Sequence, residues 1–189
     1  MIILASKSPR RIELMKTFVK EFETLTPLFD ERTISNSTKH LALKESQNKA
    51  NSIKNLAKPQ DFVITCDTIV VYKDKVFNKP IDNNDAFNTL KFLSGKTHQV
   101  VSGYTIFHGD KSISREVITD VTFNKLSDEL IMKYITDINV LDKAGSYAIQ
   151  DDEKYHLINK IKGSYTNVIG FPVDEIKQDL IDLGAFENL

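Results

Sequence analysis

Residues 61–72 read DFVITCDTIVVY. The run is dense in β-branched residues and contains neither Gly nor Pro, so it predicts the strongest strand in the chain. One carboxylate, Asp67, interrupts this apolar surrounding. Lys73-Asp74-Lys75 would then turn the chain into a short return strand ending near Asn78. Upstream, residues 38–56 are polar but free of Gly and Pro, and Leu41, Ala42, Ala50, Ile53 and Leu56 lay out a helical stripe. Residues 22–29 alternate loosely and predict a second strand. Ile2 to Ala5 form a short apolar run that predicts a buried first strand. A helix start follows it at Ser8-Pro9, where Ser suits the cap and Pro the first helical position.

Downstream, Asp82 opens a helix that Ser94-Gly95 closes. Residues 97–107 and 112–123 are long β-rich runs around Gly109-Asp110, the pattern of a hairpin. Ser127 caps a helix through Ile131 and Tyr134. Residues 147–150 and 156–161 predict short strands, and residues 172–183 a final helix with Gly184 just past its end. Strands and helices alternate, and several strands are hairpin-linked. The pattern is that of an α/β protein with a mixed sheet. Without repeats, low-complexity tracts or linkers, residues 1–189 read as a single domain.

Composition narrows the function classes. The chain has 189 residues, 41% hydrophobic and 27% charged, ordinary usage for a globular protein with its own core. A net charge of -1 gives no global pull toward nucleic acid or an anionic membrane. Any polyanion must therefore meet a local group of cations. The lone cysteine, Cys66, cannot form an intramolecular disulfide, and no apolar stretch approaches the roughly 20 residues of a membrane span. With no signal peptide at MIILASKSPRR, the expected location is the cytoplasm.

Three groups of residues could carry chemistry. LASKSPRR, residues 4–11, runs from a strand through two serines into a helix start with two arginines. Unpaired N–H groups and the positive helix end converge there, and Ser6, Ser8, Arg10 and Arg11 add donors suited to phosphate. The same residues also read as a capped helix with solvated arginines, and at this level both readings stand. Asp67 is the second candidate, because a carboxylate in a buried strand needs a metal, a cation or several donors to meet it. The structural alternative is a hydrogen bond to a neighbouring loop's backbone, and the apolar flanks favour the functional reading. The third group, Asp30-Glu31, Lys49, Lys79-Pro80 and Lys143, gains interest only by converging on Asp67. Cys66 reads as a small core residue.

Several familiar signatures are absent. Ser94-Gly95-Lys96-Thr97 resembles the end of a phosphate-binding loop, yet the leading glycine is replaced by Leu90 and a β-rich run follows where a helix belongs. The four histidines show no zinc spacing.

Taken together, the segments resemble the Maf family of nucleotide pyrophosphatases, also called septum-formation inhibitor proteins. LASKSPRR is similar to the family's opening S-x-S-P-R-R signature. Asp30-Glu31, Lys49-Ala50, Cys66-Asp67-Thr68, Lys79-Pro80, Leu93-Ser94-Gly95 with His98, the KAGSYAIQ run at 143–150 and the GSYTNVIG run at 163–170 follow in the family's order. The resemblance implies an elongated α/β fold of the Maf/ITPase-like kind, a mixed β-sheet with flanking helices and two lobes around a central cleft. It implies hydrolysis of a nucleoside triphosphate between the α- and β-phosphates, with a divalent cation, magnesium or manganese. By resemblance Asp67 is catalytic and, with Glu31, holds the metal, while Ser8, Arg10, Arg11, Lys49, Thr68, Lys79 and Gln150 contact substrate. The implied partner is a small-molecule nucleotide, with no nucleic acid or membrane, and the family leans toward a homodimer.

Arg10, Thr68 and Gln150 resemble the branch acting on dTTP and UTP. A Gln amide is donor and acceptor at once and can pair with a uracil edge. A branch preferring 7-methyl-GTP, or a nucleotide-binding regulator of cell division with little turnover, is the alternative. Two positions depart from the family pattern: Asn139 stands where a Glu is usual, and Ala148 where a Gly is usual.

Overall fold

The apolar run forms the long strand β3 (Phe62–Tyr72), whose β-branched residues fit the pleated backbone and whose side chains at Val63, Ile64, Thr65 and Cys66 are fully buried. The computed structural model describes residues 1–28 and 39–186. The other strands are β1 (Ile2–Leu4), β2 (Glu23–Thr24), β4 (Lys75–Phe77), β5 (Thr97–His108), β6 (Lys111–Phe123) and β7 (Ile158–Lys162). Among the described residues they make one sheet of order β2-β1-β3-β5-β6-β7, with β4 on β3. β1 runs parallel to β2 and β3, whereas β3–β4 and β6–β7 are antiparallel. The sheet is therefore mixed, as expected. The helices are α1 (Pro9–Lys16), α2 (Leu41–Ile53), α3 (Asn83–Leu93), α4 (Asp128–Asp137), α5 (Asp152–Tyr155), α6 (Tyr165–Ile169) and α7 (Val173–Asp182). Among the described residues no helix is long and apolar enough to cross a membrane.

The chain divides into two compact units, and β3, β5 and β6 each contribute residues to both. The first comprises Met1–Thr68, Ser102–Val117 and Gly170–Leu189. Its core joins Leu4, Met15, Ile64, Tyr104, Phe171 and Leu180, with a smaller cluster of Ile3, Ala50, Ile53, Val63 and Phe107. The second comprises Ile69–Val101 and Ile118–Ile169, built around Leu90, Phe123, Ile131, Tyr134 and Tyr147.

Local signals held where caps are self-contained. Asp82 accepts from Asp85 N at 2.8 Å and Ser127 from Leu130 N at 3.1 Å. They failed elsewhere. Ser8 is the N-cap of α1 but its side chain makes no capping bond. The second strand shrinks to two residues, and the end of the expected run, Phe29, lies outside the described residues, as does Thr38 at the start of the expected second helix. That helix begins instead at Leu41, after His40 takes a left-handed conformation (φ 55°). Residues 147–150 are no strand. Left-handed Gly145 and Ser146 (φ 70° and 65°) turn the chain, and Ile149–Asp151 closes a 3-10 turn, so this apolar run is buried as a loop. The strand expected over 156–161 starts two residues later, after α5 and a left-handed His156. The short helix α6 had no signal strong enough to announce it.

Candidate active site

In the first unit, four of the expected residues come together around β3. Asp67 lies mid-strand, and the ammonium of Lys49, on the buried face of α2, donates to its Oδ1 at 2.7 Å. A lysine on a buried helix face needs a nearby anion, and this carboxylate supplies it. The helix can come this close because Gly103 on β5 lies under it: a Cβ there would fall 2.2 Å from Leu43 N. Glu45, one helical turn before Lys49, is also buried.

Arg11 approaches β3 from α1. Its Nε donates to the Gly170 carbonyl at 2.9 Å, one terminal nitrogen donates to the Cys66 carbonyl at 2.6 Å, and the other donates to Thr68 Oγ1 at 3.2 Å. Thr68 Oγ1 also lies 2.8 Å from Ser102 Oγ and 3.2 Å from the Gly170 carbonyl. Thr68 is thus engaged with protein on every side its hydroxyl can serve. Arg11 differs in the same way from a solvated helix-start side chain. Burial pushes the Cys66 thiol above its ordinary range, against the opposing influence of the Arg11 guanidinium. A protonated, enclosed thiol is a core group, in keeping with the sequence reading.

The loop leading into α1 is tightly folded. Ser8 N donates to Ser6 Oγ at 3.2 Å, and Ser6 is buried. Ser8 and Arg10 are half-buried. Glu31 lies outside the described residues. Among the described residues no three His, Cys, Asp or Glu side chains gather as a metal cage. Asp67, half-buried on β3, nevertheless offers the hard carboxylate oxygens that suit magnesium or manganese, since such ions take one or two carboxylates plus substrate phosphates and water.

Lys79 and Gln150 belong to the second unit, and both are exposed. Lys79 follows β4, and the neighbouring Asn78 carbonyl accepts from Gly145 N at 3.3 Å, which ties the Lys79 loop to the turn that precedes the one carrying Gln150.

Residues 1–183 match the family described as Maf-like protein. The chain belongs to the Maf-like family. Among similar curated proteins is the dTTP/UTP pyrophosphatase of Thermosipho africanus (strain TCF52B), 44% identical over 98% of this chain and 95% of that protein. That of Thermosipho melanesiensis (strain DSM 12029 / CIP 104789 / BI429) is also 44% identical, over 96% and 97%. The solved Ham1 protein of Staphylococcus aureus shares the fold at 14% identity, with a TM-score of 0.51 over 96% of this chain and 97% of that one.

Two departures of this Maf-like chain have simple structural accounts. Asn139 is exposed, its side chain accepts from Leu141 N at 3.2 Å, and its backbone carbonyl accepts from Lys143 Nζ. Ala148 sits at an extended φ of -131°, where a β-carbon is tolerated. Sequence reading missed Ser102 and Gly103, which carry no local signal. It quoted Gly170 only as part of a motif, although φ +114° there calls for glycine.

Proposed function

We propose that this Maf-like chain is a nucleoside triphosphate pyrophosphatase acting on dTTP and UTP, releasing the monophosphate and pyrophosphate. The observation that carries the reading is the Lys49–Asp67 pair at 2.7 Å on an otherwise uncharged strand, whose residues Cys66 and Thr68 take bonds from Arg11 of α1. Its support from relatives is the name dTTP/UTP pyrophosphatase on proteins 44% identical to this chain.

Water hydrolyses the anhydride between the α- and β-phosphates. Asp67 orients that water or accepts its proton, while Lys49 neutralises charge building on the phosphates. Ser8 and Arg10, at the amino end of α1, suit phosphate oxygens. Asp67, with Glu31 by resemblance, would hold magnesium or manganese, which when bound supplies Lewis-acid stabilisation of phosphate charge. Lys79 and Gln150 are read as substrate contacts on the same resemblance.

The test is direct. The purified protein with magnesium should release pyrophosphate and monophosphate from dTTP and UTP with higher kcat/KM than from GTP, CTP or 7-methyl-GTP. Release of inorganic phosphate alone, or no turnover of any triphosphate, would overturn the reading. A best rate on 7-methyl-GTP would move the chain to the other branch. The single-domain reading of residues 1–189 draws support from the three strands shared by both units, and one cooperative unfolding transition would bear on it.

A further inference from the structure

From the bonds of its guanidinium we infer that Arg11 is a positioning residue, one that fixes the backbone on both sides of Asp67 instead of serving as a phosphate ligand. The inference rests on Asp67 being the catalytic carboxylate of the proposed reaction.

A guanidinium carries five N–H groups in a rigid plane. Three point to protein acceptors: the Gly170 carbonyl, the Cys66 carbonyl and Thr68 Oγ1. Two of those acceptors belong to the residues immediately before and after Asp67. Successive side chains in a strand face opposite ways, so Thr68 extends from the face opposite Asp67. Holding the Cys66 carbonyl fixes the peptide plane entering Asp67, and holding Thr68 fixes the residue leaving it. The direction of the Asp67 Cα–Cβ bond follows from those two constraints.

The third acceptor anchors the clamp. The Gly170 carbonyl takes bonds from both Arg11 and Thr68, and its φ of +114° is one that other residues adopt only under strain. Thr68 can donate to that carbonyl while accepting from Arg11 and Ser102, which fills its hydroxyl. Arg11, Thr68, Ser102 and Gly170 thus form one closed network, in which a change at one member is felt at the others. Lys cannot replace Arg here, since a point ammonium does not span three acceptors.

Three variants test this: Arg11→Lys, Thr68→Val and Thr68→Ser. Each is assayed with dTTP for kcat and KM, with pyrophosphate for inhibition, and without ligand for amide exchange across residues 64–69. A reacting group displaced by about 1 Å costs up to about 100-fold in rate, so Arg11→Lys and Thr68→Val should each lower kcat about tenfold or more. KM and the pyrophosphate inhibition constant should stay within about threefold, the signature of an interaction not spent on ground-state binding. Both variants should speed exchange at residues 66–68, and the double variant should be no worse than the poorer single one. Thr68→Ser, which keeps the hydroxyl, should recover most of the kcat and of the slow exchange at residues 66–68 that Thr68→Val loses, and the Thr68 pair carries the test if Arg11→Lys does not fold; no recovery in Thr68→Ser would overturn the inference. A roughly tenfold rise in KM and in the pyrophosphate constant for Arg11→Lys, with exchange unchanged, would make Arg11 a phosphate ligand and overturn the inference. If the wild type turned over no triphosphate, the pyrophosphatase reading would fall, and exchange at residues 66–68 would still decide the clamp.

Discussion

Lys49 Nζ stands 2.7 Å from Asp67 Oδ1, in an ion pair whose side chains are only 6% and 14% exposed. The pair ties α2 to β3 and gives the carboxylate a fixed direction. The carboxylate keeps a small exposed surface beside its buried partner, so it is open to test as a reacting group.

Asp67→Asn should lower kcat at least about 100-fold, the lower range for losing an acid–base group. The amide keeps an acceptor for Lys49, so far-UV circular dichroism should be unchanged. Lys49→Met removes the cation facing the carboxylate and should cost about 2–3 kcal/mol in urea unfolding, under the cost of a fully enclosed pair because the Asp67 side chain is 14% exposed. Near-normal kcat in Asp67→Asn at saturating metal would return Asp67 to a structural role.

Gly103→Ala tests whether α2 must lie this close. The new β-carbon would meet Leu43 N at 2.2 Å and the Ala42 carbonyl carbon at 2.3 Å. These are backbone atoms with no rotamer to yield, so the helix has to move. A stability loss of about 1–3 kcal/mol or more is expected, read as a lower urea midpoint. Because α2 carries Lys49, kcat should fall as well, by about tenfold. Wild-type stability would mean that the helix shifts freely.

His98 should make the protein less stable in acid. Its ring is 1% exposed, with Nε2 2.8 Å from the Tyr147 hydroxyl, while Nδ1 has no partner among the described residues. Burial pushes its pKa down from 6.5 to about 4. The neutral ring is therefore favoured in the folded state, and the unfolded chain binds more protons between those two values. Stability from this group is fully present above 6.5 and is lost as pH falls toward 4, a change of about 3 kcal/mol. Urea midpoints at pH 7 and pH 4.5 should separate less in His98→Gln than in wild type. Equal separation would acquit His98.

Gln150→Ala concerns base choice. The side chain is exposed in its 3-10 turn, so stability should change by less than about 0.5 kcal/mol. Loss of one base-edge hydrogen bond costs about 1–3 kcal/mol in discrimination. KM for UTP should rise and the gap to GTP should narrow. An unchanged ratio of kcat/KM values across UTP, dTTP and GTP would remove Gln150 from base recognition.

Much of the molecule was legible in the chain itself. The β-branched run made β3 recognisable, alternation of strands and helices indicated the mixed α/β sheet, and Asp82 and Ser127 marked helix starts that the structure keeps. These signals are local, because periodicity and capping act over a few residues. Asp67 was singled out locally too, by a charge amid apolar neighbours that had to be met by a partner. Tertiary structure alone decided the partners. Arg11 meets Gly170 across 159 positions of sequence, and Lys49 meets Asp67 across 18. The turn at 147–150 likewise arises because the buried loop, not a sheet, satisfies that apolar run. A side chain's donors are written in the sequence, whereas its acceptors are supplied by whichever distant backbone the packed core brings within 3 Å or so.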